Sequence, residues 1–266
     1  MTIVSSGLIG FNDSEQKQYK DDTLVIHRIF SFERFIDFVR NQWLALVRPA
    51  CWEDPYENPL NREIIETSTG KKLRLPHFEK NLFAQCWSIC SESDAMWRIY
   101  SSDKRGVLVS ASARDLLQYG KTQYEAPLEQ VFLGKVIYNT HAQLQKMLES
   151  KEFLRSVLCA PGYSHNSSSV LLHKRDSFEH EEEVRLIISR HISEVPGEVA
   201  RFEIPLPKVV LQVTLDPRLT PEEFERSSYL ISRAGYTGYI EQSKLYSTPE
   251  LKLEIPSLEW LYEKDS

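Results

Sequence analysis

Apolar residues along this chain follow two spacings, one typical of strands and one typical of helices. Short β-branched and aromatic runs bounded by turn residues predict strands, most clearly over residues 82–88 and 131–138. Helical spacing after Ser31 and the capping-box pattern at Thr220 predict helices. The predicted strands cover residues 24–29, 43–47, 82–88, 106–109, 131–138, 181–188, 199–204, 209–215 and 236–241, and the predicted helices begin near residues 31, 91, 141 and 220.

The order of these elements predicts the fold class. Strands cluster, and helices are interspersed irregularly rather than alternating with them, which favours a mostly antiparallel sheet over a parallel one. A chain of 266 residues without an evident linker or repeat fits one large domain. We therefore predict a polar N-terminal arm over residues 1–22 and a single α+β domain over residues 23–266.

The composition indicates where the protein is located more clearly than which reaction it carries out. A formal net charge of -6 argues against holding a nucleic-acid duplex by bulk charge, although a local basic groove remains open. The chain shows no signal-peptide pattern, no apolar run approaching ~20 residues, and too few cysteines for a disulfide scaffold. We expect a cytoplasmic protein that does not cross a membrane.

Residues 178–188 carry the most informative pattern, an acidic cluster that runs into an apolar strand. Because strand side chains alternate, Glu181, Glu183 and Arg185 are predicted to share one face. Two carboxylates and a guanidinium at the head of a strand form a candidate polar site. The alternative is a structural network in which both glutamates pair with Arg185 and Lys174.

An ordered series of motifs resembles the bacterial domain-of-unknown-function family two-nine-seven-one. Glu53 stands where the family has asparagine, and Phe178 stands where it has tryptophan. The resemblance implies the fold, because the family has no assigned activity. The matching pieces are Ile26-His27-Arg28, Glu53 to Glu57, Cys86-Trp87-Ser88, Met96 to Tyr100, Gly106-Val107, Lys174, Phe178, Glu181, Glu183, Arg185, Val209 to Asp216 and Ser243-Lys244-Leu245.

The order of polar residues is also similar to the arginine–serine–glutamate arrangement of ADP-ribosyltransferases, which use NAD as substrate. That resemblance implies that Glu183 is the catalytic glutamate, stabilising positive charge on the sugar as nicotinamide leaves. It implies that Glu181 orients or deprotonates the acceptor. Trp97 and Tyr100 are either stacking partners of the dinucleotide or core residues at helical spacing. The implied NAD-binding residues are His27, Arg28, Ser88, Trp97, Tyr100 and Arg185.

These patterns give one leading function and leave two alternatives open. The leading hypothesis is transfer of ADP-ribose from NAD to a macromolecular acceptor, protein or nucleic acid, by a toxin or phage-defence effector with an antitoxin or regulatory partner. The first alternative is a metal-dependent nuclease, in which Lys174 stabilises a phosphate. The second is a non-catalytic binding module using residues 54–57 and 161–169. The histidines lack regular ligand spacing, so we predict no dedicated metal site. The nuclease carboxylates would be Asp54, Glu57, Glu181 and Glu183.

Overall fold

The computed structural model describes residues 7–54, 56–57, 64–66, 69–70, 72–74, 82–123, 130–158, 169–189 and 198–249. The strands are β1 (Leu8–Ile9), β2 (Val25–Phe30), β3 (Trp43–Val47), β4 (Ile64–Glu66), β5 (Lys72–Arg74), β6 (Leu82–Ser88), β7 (Val107–Ser112), β8 (Gln130–Lys135), β9 (Ile137–Asn139), β10 (His173–Arg175), β11 (Glu183–Ser189), β12 (Val199–Glu203), β13 (Val210–Leu215) and β14 (Ile240–Gln242). The helices are α1 (Asp13–Lys20), α2 (Phe32–Asn41), α3 (Asp94–Tyr100), α4 (Ala113–Gln123), α5 (His141–Leu148), α6 (Lys151–Leu158), α7 (Leu206–Val209) and α8 (Pro221–Ala234). Short 3₁₀ helices cover Pro49–Cys51, Val170–Leu172 and Asp176–Glu181.

A ten-stranded mixed sheet forms the centre of the protein. Its main path runs β1-β8-β11-β6-β2-β7-β13-β14, and β3 branches from β6 with β12 beside it. Neighbours are antiparallel except for the parallel pairs β1–β8 and β13–β14. The predicted α+β class with a mostly antiparallel sheet is therefore confirmed.

Capping residues place several helix boundaries where the sequence predicts them. The Ser31 side chain accepts the Arg34 N–H and begins α2. Thr220 and Glu223 form a reciprocal capping box at the start of α8. Gly235 ends α8 with a φ of 115°, in the left-handed region that glycine adopts without steric cost.

The strand β11 is buried on both faces and divides the core into two layers. Val184, Leu186 and Ile188 face the larger apolar cluster, whereas Ile187 faces a smaller cluster that includes Leu172. Because side chains alternate along a strand, Glu183 and Arg185 lie on the same face as Ile187. The charged residues of β11 therefore lie on the face of the sheet that carries the smaller apolar cluster.

The N-terminal region differs from the predicted loose polar arm over residues 1–22. In its described part, β1 adds to the sheet, with Leu8 opposite Leu133 of β8. Leu8 and Ile9 are almost fully buried. The expectation of a loose arm is thus corrected for residues 7–22, because two apolar residues between glycines can form a strand too short to read from periodicity.

Three further elements differ from expectation. No local pattern predicts α4, and the single helix expected after residue 141 is two helices, α5 and α6. The stretch at residues 176–181 is a 3₁₀ helix, so the strand begins only at Glu183. The loop proposed at residues 161–169 lies outside the described residues except for its end. None of the described helices is both long and apolar enough to cross a membrane.

Candidate functional site

The main sheet forks at β6, and the fork opens a cleft. β6 pairs with β11 along its whole length, but it meets β2 only at Ser88 opposite His27 and β3 only at Ala84 opposite Val47. Cys86 lies between these two contacts, and its carbonyl accepts a hydrogen bond from the Arg28 guanidinium. At this point the Arg28 side chain, instead of the backbone of a neighbouring strand, donates a hydrogen bond to the β6 carbonyl.

A pocket of about 60 Å³ occupies this cleft. It gathers side chains from β2, β6, α3 and the start of β11, which are far apart in sequence. Six of the eight sequence-predicted site residues line it: His27, Arg28, Ser88, Tyr100, Glu181 and Glu183. The other lining residues are Ile29, Cys86, Trp87 and Met96.

Three of the lining residues form a row across adjacent strands. Ser88 of β6 lies directly opposite His27 of β2 on one side and opposite Glu183 of β11 on the other. Residues directly opposite in antiparallel strands project to the same face of the sheet. The pairing register therefore brings an imidazole, a hydroxyl and a carboxylate to one wall of the pocket.

The histidine and the serine in this row act as neutral hydrogen-bonding groups. Burial lowers the pKa of His27 to about 4, so its ring is uncharged at neutral pH. His27 Nδ1 lies 2.9 Å from the Ser110 hydroxyl, which fixes the orientation of the ring. The Ser88 hydroxyl accepts the Cys90 N–H at 2.9 Å.

Arg28 supplies positive charge to the pocket. Its guanidinium lies 5.2 Å from the centre of the Phe30 ring, and its Nε has no hydrogen-bond partner among the described residues. In the same described part of the chain, no carboxylate forms an ion pair with Arg28. The cation is therefore not neutralised by an adjacent acid there.

The opposite side of the pocket rests on a buried cluster of three carboxylates and two cations. Lys174 Nζ lies 3.0 Å from Glu57, 2.5 Å from Glu181 and 3.3 Å from Glu183. The Arg185 guanidinium lies 3.0 Å from Glu57 and 2.8 Å from Glu183. The formal charge of the cluster is therefore about -1 when all five groups are ionised. The ion pairs that the structural alternative expects are present, and two of their carboxylates also line the pocket.

These contacts control the ionisation of Glu183. Burial alone raises the pKa of this carboxyl, but Arg185 and Lys174 outweigh burial and lower it to about 2. In the same way, the carboxylates outweigh burial and raise the pKa of Lys174. At Glu57 the effect of burial is larger than that of Arg185 and Lys174, so the pKa of Glu57 is raised. Glu183 is consequently a carboxylate at neutral pH, although its side chain is almost fully buried.

Tyr100 meets the expectation of a residue at the pocket, and its hydroxyl donates to Glu181 at 2.8 Å. Burial and the adjacent Glu181 raise the pKa of Tyr100, so the phenol stays protonated. Trp97, predicted at the same site, is fully buried in the core, and its indole N–H donates to Glu92. Trp97 does not line the pocket, which fits the alternative prediction that it is a core residue rather than a stacking partner.

Arg185 also departs from the prediction that it contacts the cofactor. Its side chain is fully buried, where it donates to Glu57, Glu183 and the Leu171 carbonyl and lies 4.4 Å from the Trp52 ring. It is absent from the pocket lining. Arg185 therefore contacts Glu183 directly without lining the pocket.

Sequence reasoning missed Tyr138, which contacts the acidic stretch directly. Its hydroxyl accepts the Glu183 N–H at 2.8 Å. Tyr138 comes at the end of a predicted strand, but no local signal indicates which segment that strand meets. The contact depends on the long-range pairing of β9 with β10.

The carboxylates considered for a magnesium site are bound to basic side chains instead. Asp54 contacts Arg175 at 3.2 Å, and Glu57, Glu181 and Glu183 all contact Lys174. Among the residues that the structure describes, no group of three or more His, Cys, Asp and Glu side chains is placed to hold a metal ion.

Comparison with known proteins gives distant structural likenesses. The chain is similar to Thermus sp. 2.9 DarT in complex with NAD+, with 10% identity, a TM-score of 0.35, and coverage of 83% of this chain and 96% of the other. For Thermus sp. 2.9 DarT in complex with ADP-ribosylated ssDNA, the identity is 10%, the TM-score is 0.38, and the coverage is 83% and 94%. This likeness is too distant to carry an assignment of activity.

The family comparison concerns a segment that supplies four of the ten residues lining the pocket. No curated protein matches this chain. The model of the family described as "Protein of unknown function (DUF2971)" matches residues 96–186. This segment contains Tyr100, Lys174, Glu181, Glu183 and Arg185. The resemblance to this family of unknown function, indicated by the sequence motifs, is therefore confirmed over these residues.

Proposed function

We propose that this chain is an ADP-ribosyltransferase, which takes NAD as donor and transfers ADP-ribose to a macromolecular acceptor. The observation that carries the proposal is the row of His27, Ser88 and Glu183 across three adjacent strands. Their chain order is similar to that of the arginine–serine–glutamate arrangement, except that a histidine stands first in the row and Arg28 is next to it in sequence. All four side chains line one pocket.

The charges of the pocket suit a ligand with one cationic end and one anionic part. The carboxylate cluster has an excess negative charge, and Arg28 has no ion-pair partner among the described residues. NAD combines a positively charged nicotinamide ring with a negative pyrophosphate. We infer that the nicotinamide ribose lies towards Glu183 and that the pyrophosphate lies towards Arg28.

Glu183 would act on the bond that breaks. The bond between the ribose C1′ and nicotinamide breaks with its electron pair going to nicotinamide, which leaves neutral, and positive charge develops on the sugar. A carboxylate that stays ionised in a buried site stabilises that charge more strongly than it would in water. The pKa of Glu183, near 2, keeps it ionised across the physiological range.

Glu181 would act on the acceptor. Its two oxygens contact Tyr100 and Lys174, and its side chain lies at the pocket beside Glu183. An acceptor nucleophile forms the new bond to C1′ and loses a proton, for which Glu181 is the candidate base. The acceptor is a protein or a nucleic acid. The wider proposal is a cytoplasmic toxin or phage-defence effector held in check by an antitoxin or regulatory partner.

The test compares the native chain with Glu183→Ala in cell extract supplied with labelled NAD. We expect the native chain to release nicotinamide and label an acceptor, and the variant to be at least about 100-fold slower, as when one preorganised electrostatic group is removed. Glu179→Gln is the matched control, because Glu179 is an exposed carboxylate on the preceding 3₁₀ helix. Circular dichroism verifies that each variant is folded. A native chain that neither releases nicotinamide nor labels any acceptor would refute the proposal.

A further inference from the structure

A small ladder outside the main sheet lies against the acidic stretch. β9 and β10 pair in parallel, with Tyr138 directly opposite Lys174. Register partners in a parallel pair project to the same side, so these two side chains leave the ladder together. Neither of them lines the pocket.

Both side chains bind the turn formed by residues 181–183. The Tyr138 hydroxyl accepts the backbone N–H of Glu183 at 2.8 Å. Lys174 Nζ donates to a carboxylate oxygen of Glu181 at 2.5 Å and of Glu183 at 3.3 Å. Two neighbouring residues of the β9–β10 pair therefore bind both the backbone and the side chains of this turn.

The turn has a conformation that needs such support. Glu182 has a φ of 41° and a ψ of 53°, in the left-handed region that residues with a Cβ seldom adopt. Strained backbone of this kind persists where surrounding contacts determine it. The left-handed residue joins the end of the 3₁₀ helix to the start of β11. As a result, Glu181 and Glu183 both reach the pocket.

We propose that Tyr138 and Lys174 form a clamp, whose role is to set the placement of Glu181 relative to Glu183. Its catalytic consequence rests on the proposed function. Tyr138 and Lys174 are then positioning residues that act through the two carboxylates. A misplacement of about 1 Å at a reacting group can slow a reaction on the order of 100-fold without weakening substrate binding.

The test uses Tyr138→Phe, which removes only the hydroxyl that accepts the Glu183 N–H. The matched control is Tyr236→Phe, at a buried tyrosine whose hydroxyl bonds only the Tyr239 carbonyl among the described contacts. We expect Tyr138→Phe to speed hydrogen exchange of the Glu183 amide, measured by NMR, at least about 10-fold. We also expect its kcat for NAD cleavage to fall about 10- to 100-fold, with KM within about twofold of the native value. Both values should stay near native in the control.

Each result decides the proposal. Faster exchange together with a lower kcat supports it, whereas unchanged exchange or an unchanged kcat in Tyr138→Phe overturns it. If the native chain does not cleave NAD, the proposed function fails, and the clamp is then judged by exchange alone. Faster exchange supports the clamp in that case, and equal exchange rejects it.

Discussion

Replacing Glu183 with glutamine should change the stability of the fold in a manner that depends on pH. The substitution keeps the size of the side chain and an oxygen for hydrogen bonding, but it removes the negative charge that Arg185 and Lys174 contact. The Glu183 side chain is only 4% exposed, so solvent screens these interactions little. Glutamine at this position therefore imitates the protonated glutamic acid.

The shift in the pKa of Glu183 gives the magnitude. Its pKa falls from the ordinary value of 4.5 to about 2 in the folded protein. At about 1.4 kcal/mol per unit, the ionised carboxylate contributes roughly 3 kcal/mol at neutral pH. Because the folded pKa is depressed, this contribution is complete above the unfolded pKa and disappears as the pH falls through the folded one. About half of it should remain near pH 3.

The assay is urea unfolding of the native chain and of Glu183→Gln at several pH values between about 7 and 3. We expect a difference in unfolding free energy of roughly 3 kcal/mol at neutral pH that narrows as the pH falls. Glu182→Gln, at an exposed position next in sequence, should change stability by less than about 0.5 kcal/mol. A difference near zero at neutral pH, or one that stays constant down to about pH 3, would show that the ion pairs do not hold Glu183 ionised.

Two further substitutions test the environment of the site. Arg185→Met leaves Glu57 and Glu183 with one cation fewer, and loss of a buried partner should cost roughly 3–5 kcal/mol in urea unfolding; a loss below about 1 kcal/mol would contradict the buried network. Gly134→Ala places a Cβ 2.5 Å from the buried Leu172 side chain, and this overpacking should cost about 1–3 kcal/mol. An unchanged melting temperature in Gly134→Ala would mean that the Leu172 side chain can move to make room at little cost in free energy.

Local patterns predict those parts of the fold that local physics determines. The apolar run of β6 has the same bounds in the sequence analysis and in the structure. The capping box at Thr220 and the glycine at position 235 define α8, because both satisfy the backbone groups that helix ends leave unpaired. The two-residue strand β1 carries too little pattern to be recognised. Its position depends on contact with β8.

The candidate site is predictable in its members but not in its arrangement. Alternation along the strand places Glu183 and Arg185 on one face correctly, yet it does not indicate that Arg185 is the deeper of the two. Trp97 and Tyr100 are three residues apart on α3, and packing alone decides that one is core and the other lines the pocket. The row through Ser88 needs the register of three strands, which a single sequence does not contain.

In the proposed complex with NAD, the hydrogen bond from Arg28 to the Cys86 carbonyl would couple ligand binding to the integrity of the sheet. An anion that draws the guanidinium away would leave a β6 carbonyl without its partner, so part of the binding energy would be spent on that loss. A lysine at position 28 would keep the charge, but it lacks the planar fork that lets arginine serve two acceptors at once. Under the proposed function, tighter anion binding and a more rigid sheet would therefore be competing demands on Arg28.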